Sequence, residues 1–278
     1  DMLAFDSMAS AGGSSSTFQV RKDFVPSVST KGSDKGLDAA SPVFDDVTSG
    51  VGDEGSHWVP GLKLQARGYY FDGLGKDDLG KVIAPNARES ADAFLARLAS
   101  SGYEPSAYGK ASFTSVGQRV RVRAMAKPDG DAAYLTPKTG GFGTWVWVFR
   151  RSEQSKRAQE YLTGDWVSPF MEASESNVGR GKVEVMSTVT EHSADIGAEL
   201  SDTITVSGFP ADHGQFMGDE TYGFAADQPY ATVSVWWSGD PDNPSNDEAY
   251  KPSGGEVPTE DDNHRLLATW EIPAMNGT

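Results

Sequence analysis

In GQRVRVRAMAK, residues 117–127, arginine and apolar residues take turns, Arg119, Arg121 and Arg123 against Val120, Val122 and Ala124. Side chains that change face at every residue belong to an extended strand, so the pattern predicts a ribbon that is wet on one side and dry on the other. LKLQARGYYF does the same, with Leu62, Leu64, Ala66 and Tyr70 opposed to Lys63, Gln65 and Arg67. GTWVWVFR is apolar on both faces, with Trp145, Trp147 and Phe149 on one and Val146 and Val148 on the other. That predicts a central strand covered from both sides. KVEVMSTVT, DTITVSG, YATVSVWW and RLLATWEI continue the habit in the second half, joined by loops rich in Gly, Pro, Asp and Asn. Short strands between such loops, without alternating helices, predict a mainly β chain of antiparallel sandwiches.

Two stretches follow a helical period instead. NARESADAFLARLASSG offers Asn86 as N-cap, an apolar face through Ala87, Ala91, Phe94, Leu95 and Leu98, and Gly102 as a stop. SEQSKRAQEYLTG, residues 152–164, is a shorter candidate. Both lie in the first half, which is read as a sandwich with a short helical insertion.

Charge divides the chain. Of the formal net charge of −16, residues 181–278 account for −15, with three basic residues (Lys182, Lys251, Arg265) against eighteen acidic ones. A step of that size predicts a boundary near residue 180 and excludes nucleic acid as a partner of the second half, because phosphates are repelled. The predicted domains are a linker or tail of a preceding domain over 1–16, a sandwich with helical insertion over 17–180, and an acidic sandwich over 181–278. The opening DMLAFDSMASAGGSSS lacks the basic start and apolar centre of a signal peptide. At the other end Asn276-Gly277 signals a hairpin with only Thr278 to follow, which predicts a second domain truncated at its C-terminal end and a chain cut from a longer protein. There is no cysteine, so disulfides, thiolate nucleophiles and Cys-based zinc sites are excluded. Without a run of about 18 apolar residues, no helical transmembrane segment is expected.

The two halves open alike. Ser27-Val28-Ser29-Thr30 aligns with Ser187-Thr188-Val189-Thr190, and Asp46 with Asp202. FVPSVST…FDDVTSG and VMSTVTEHSADIGAELSDTITVSGFP resemble the opening of Ig-like repeats in multidomain, cell-wall-anchored surface proteins of Gram-positive bacteria, particularly Actinobacteria. GGFGTWVWVFRRSEQ…DWVSPFMEASE resembles their ending. The resemblance implies tandem Ig-like β-sandwich domains in an extracellular adhesin or stalk, anchored to the cell wall through segments outside this fragment. It also implies neighbouring domains of the same chain as partners, and a host protein or glycan as ligand. Several branches of that family lock each sandwich with an internal isopeptide or ester bond. By the resemblance, Lys22, Thr30 and Asp46, with Lys182, Thr190 and Asp202 in the second copy, are the residues to consider for such a crosslink. DWVSPFMEASES supplies no Gln as acceptor, and surface Lys, strand Thr and turn Asp residues explain the same positions.

Catalytic patterns are missing. His57, His192, His213 and His264 are scattered without HExxH spacing, no G-x-S-x-G elbow occurs, and GLGKDDLG has neither P-loop nor dinucleotide spacing. The chain is therefore expected not to be an enzyme and to need no cofactor. Two binding readings stand beside plainer ones. Asp240, Asp242, Asp247 and Glu248 place hard oxygen ligands in one loop, as calcium requires, or form a solvated acidic loop. Trp236 and Trp237, adjacent on a strand, face opposite ways, so one is left to stack on a sugar or to pack at an interface. A sugar-stacking role makes the alternative function a carbohydrate-binding module of an extracellular carbohydrate-active enzyme.

Overall fold

The computed structural model describes residues 24–52, 56–190, 193, 195, 197–253 and 255–278, and the architecture below is that of these described residues. It is mainly β with several sheets, and it divides into two compact units. One unit runs to Lys182 and takes in Asp219–Phe224; the other comprises Val183–Gly218 and Ala225–Thr278. None of the described helices is long and apolar enough to cross a membrane.

In the first unit the strands are β1 (Pro26–Gly32), β2 (Gly36–Leu37), β3 (Phe44–Val51), β4 (Leu64–Leu74), β5 (Ala107–Phe113), β6 (Arg119–Arg123), β7 (Gly141–Phe149), β8 (Trp166–Val167) and β9 (Ser176–Gly179). They form a three-stranded sheet ordered β1-β3-β6 and a six-stranded sheet ordered β2-β9-β7-β4-β5, with β8 paired to β7. The pairings are antiparallel except for β2, which runs parallel to β9 through Gly36↔Val178 and Leu37↔Gly179. Residues of both sheets share one buried cluster, as in a β-sandwich: Val28, Val47 and Val122 from the small sheet, Leu64, Ala66, Phe113, Trp145 and Trp147 from the large one. β7 is central, and Phe142 through Phe149 are buried on both of its faces, as its two-sided apolar pattern predicts.

Glycine makes room for the largest rings. Gly68 and Gly109 face each other across β4 and β5, and the Trp145 and Trp147 rings, stacked 5.5 Å apart, lie over them. A Cβ on Gly68 would stand 2.8 Å from the Trp147 ring, so only glycine permits this approach.

The helical stretches are shorter than their sequence period suggests. α1 spans Ala91–Ser100 and its cap is Ser90, whose hydroxyl accepts from Ala93 N, rather than Asn86. Arg88 adopts φ 61°, a left-handed conformation that ends any helical run from Asn86. The second candidate collapses to one turn, α2 (Lys156–Gln159), capped by Ser155.

In the second unit β10 (Glu184–Val189) pairs with β11 (Asp202–Ser207), and β12 (Tyr230–Ser238) with β13 (His264–Pro273). Each is a two-stranded ribbon. One face of the first carries Val185, Val189, Ile204 and Val206, and one face of the second Val233, Val235, Trp270 and Ile272, as alternation requires. Val185, Val189, Val235 and Trp270 are nevertheless exposed. The Asn276-Gly277 signal does not make a hairpin here: Gly277 exchanges both backbone hydrogen bonds with Val206 of β11 (2.8 and 3.0 Å), and the Asn276 side chain is held by Phe209 N.

Candidate functional site

The small sheet turns one face inward. Because cross-strand partners share a face, Val28, Thr30 and Gly32 of β1 lie on the same side as Ser49, Val47 and Asp45 of β3. This side is buried, and among its valines stand a hydroxyl and a carboxyl, Thr30 at 8% exposure and Asp45 at 0%. A second acid arrives from the other end of the unit. The single 3-10 turn Ala173–Glu175, just ahead of β9, buries Glu175 to 3%.

Packing is one-sided in its hydrogen bonds. The Trp147 indole Nε1 of β7 donates to Asp45 Oδ2 at 2.7 Å, a bond that crosses from the large sheet to the small one. The Thr30 backbone N–H serves the Glu175 carboxyl. Thr30 Oγ1, Asp45 Oδ1 and Glu175 Oε2 remain buried without a hydrogen-bond partner among the described residues, although the Thr30 hydroxyl is close enough to Asp45 to favour its charged form. Three such atoms in one place are unusual, since buried polar groups are nearly always paired.

The electrostatics follow from burial. Removal from water pushes the Glu175 carboxyl up to about 9, and the neighbouring Asp45 and Glu172 carboxylates add to the shift. Burial likewise raises Asp45 to about 6, against the indole N–H that favours its charge. The two carboxyl groups, one on β3 and one on the turn before β9, thus hold each other's charge in check, and Glu175 is the one kept uncharged at neutral pH. Lys35 stands at the rim, donating to the carbonyls of Ala173 and Ser176. Its burial holds the ammonium below its usual range, opposed by the Glu175 charge.

Of the residues expected at a crosslink, only Thr30 is in this cluster. Asp46, next to the buried acid, points outward and pairs with Arg119 at 2.8 Å. Lys22 lies outside the described residues. Lys182 is bonded through its backbone N–H to Lys138 O. Thr190 and Asp202 are neighbours at the end of the β10–β11 ribbon, where Thr190 N donates to Ser201 O, and both are exposed. Asp45 was accessible to sequence reasoning, for it stands two residues from Val43 and two from Val47 in an inward-facing period. Glu175 gives no such signal, because a single turn carries no periodicity.

The acidic loop folds on itself. Asp240 accepts from Asp242 N, Asn243 N and Asn246 Nδ2, and Asp247 Oδ1 accepts from Asp240 N. These bonds close the loop that leads into a 3-10 turn at Pro244–Tyr250, which is capped by the Asn243 side chain accepting from Ser245 N, with Asp242 and Glu248 exposed beside them. Among the described residues no three His, Cys, Asp or Glu side chains are grouped to hold a metal ion. Trp236 and Trp237 are half-buried, with a register shift between Val235 and Trp236 and the Arg265 guanidinium 5.6 Å over the Trp237 ring. Of the histidines, His213 and His264 are tied to the carbonyls of Gln228 and Tyr250. A scan against family models and searches of curated proteins and of solved structures find no match to the chain.

Proposed function

We propose that this chain is part of a non-catalytic stalk or adhesin on the surface of a Gram-positive bacterium, built of successive Ig-like β-sandwich units, held to the cell wall through other segments and contacting a host protein or glycan. One observation supports the reading above others. The Thr30 backbone N–H joins β1, the first described strand of its unit, to Glu175 in the turn that enters β9, the last. A pull on the two ends of this unit acts on those two strands. That bond lies in a dry core and opposes their separation, because parting the strands leaves a buried donor and a buried carboxyl unpaired.

The cluster is held by the Trp147 and Thr30 hydrogen bonds and by the coupling of its two carboxyls, without a covalent bond. Its available acceptor is a carboxyl instead of an amide, so condensation with the Thr30 hydroxyl would have to expel water, with no better leaving group to drive it. The intact mass is accordingly expected to equal that of the sequence, and a deficit of one water or one ammonia would overturn this. A carbohydrate-binding module of an extracellular carbohydrate-active enzyme is the second reading, favoured by the half-buried Trp236 and Trp237. Labelling intact cells of the source organism with an antibody to this chain tests the main proposal. Signal at the wall of unpermeabilised cells is expected; signal that appears only after lysis rejects it.

A further inference from the structure

The outward side of β6 leads somewhere. Its exposed residues Arg119, Arg121 and Arg123 continue, at the same period of two, into Met125 and Lys127. Met125 exchanges backbone hydrogen bonds with Tyr108 of β5 (2.8 and 2.9 Å), so this line of cations runs up to the outer face of the large sheet. There a groove of about 340 Å³ opens, floored by Tyr69 and Tyr108 and walled by the loop from Met125 to Gly130. That volume is at the small end of ligand sites. The two phenol rings stand edge to face, 5.9 Å apart, and both residues are half-exposed.

The groove already binds one carboxylate, its own. Asp129, at the loop tip with φ 53°, places its oxygens 3.0 Å from Arg67 Nη1 and 3.1 Å from Lys110 Nζ. A non-glycine residue in the left-handed region carries strain, which is relieved if the tip moves. Beyond it Arg121, Arg123 and Lys127 are exposed, and none forms an ion pair with a described carboxylate. Arg121 and Arg123 are held in place against Phe44, 4.6 and 5.9 Å from its ring.

We propose that this groove and its row of cations bind an acidic oligosaccharide, a sugar ring lying on the face of one phenol and against the edge of the other while its acid groups meet Lys127, Arg123 and Arg121. Pyranose rings offer an apolar C–H face to aromatic carbon and a hydroxyl rim to polar tips. Guanidinium forks match carboxylate and sulfate oxygens. Nucleic acid, the other polyanion, is disfavoured because the two phenol rings, tilted 76° to each other, give no parallel platform for successive bases. The inference deepens the glycan-contacting part of the proposed function, and its failure would leave the surface reading intact.

Calorimetric titration of the whole chain tests it, with a hexameric polygalacturonate, a heparin-derived hexasaccharide, neutral cellohexaose, a polyglutamate peptide and a single-stranded oligonucleotide. Both acidic sugars are expected to bind at least 10-fold more tightly than the neutral one, and the difference between them reports what sulfate adds to carboxylate. Arg121→Gln with Arg123→Gln should weaken binding at least 5-fold, and Tyr108→Ala at least 10-fold, with near-ultraviolet circular dichroism reporting that each variant folds. Asp129→Asn, which withdraws the internal competitor, should tighten it about 3-fold. Equal binding of cellohexaose, of the peptide or of the oligonucleotide overturns the proposal. So does the absence of binding to either acidic sugar, or an affinity that ignores the arginine pair.

Discussion

Two buried carboxyl groups set how this protein responds to pH. Glu175 and Asp45 both have folded-state pKa values raised above the ordinary carboxylate range, to about 9 and about 6. The folded chain therefore binds protons that the unfolded chain has released, and stability falls as pH rises. The stabilisation is fully present below the unfolded values near 4 and is lost in turn through about 6 for Asp45 and about 9 for Glu175. Urea unfolding from pH 5 to 9 is expected to show this decline, at most about 1.4 kcal/mol per pH unit for each proton concerned. Glu175→Gln, neutral at every pH, should flatten its upper part, and an unchanged slope in that variant would remove the assignment. Gly68 makes a second prediction at this scale. Gly68→Ala forces a methyl to 2.8 Å from the Trp147 ring and should cost about 1–3 kcal/mol in the same urea experiment. A cost within a few tenths would mean that the stacked tryptophans move aside freely.

Among the elements, strands were legible and helix ends were not. Alternation in β4, β6 and β7 named the inward residues correctly, because period two survives any register that keeps one face dry. The helix was found from Phe94 and Leu98, yet its start was assigned to Asn86 although Ser90 holds it. Two good capping residues four positions apart look equivalent in a string of letters, and only the left-handed Arg88 between them decides. Ser90→Ala is accordingly expected to lower stability by about 1 kcal/mol, and Asn86→Ala by much less; thermal melts of the two variants read the difference. The interior site was half legible. The repeated opening points to Thr30 and Asp46; the fold turns Asp46 outward to Arg119 and buries Asp45, which the alternation of Val43 and Val47 also marks. Non-local partners such as Glu175 and the Trp147 indole come together only through the fold, and no spacing rule reports them.

For the whole molecule, cohesion is unevenly distributed. The buried hydrophobic residues fall in the unit that runs to Lys182, including Tyr222 and Phe224, which its segment Asp219–Phe224 contributes. Tyr222 is fixed there by bonds to Gly80 N (3.0 Å) and Met171 O (2.7 Å), and Phe224 stacks on Phe142. In the other unit the ribbons leave Val185, Met186, Leu267 and Trp270 exposed, and two-stranded ribbons are marginal by themselves. A chain made this way resists a pull through one unit and yields through the other. Stretching single molecules between their ends tests this most directly. The account predicts that β10–β13 extend at low force, followed by one cooperative rupture that releases the stretch from β1 to β9, a gain of roughly 500 Å at 3.3–3.6 Å per residue. A trace in which that unit lengthens gradually, or gives way before the ribbons do, would contradict it.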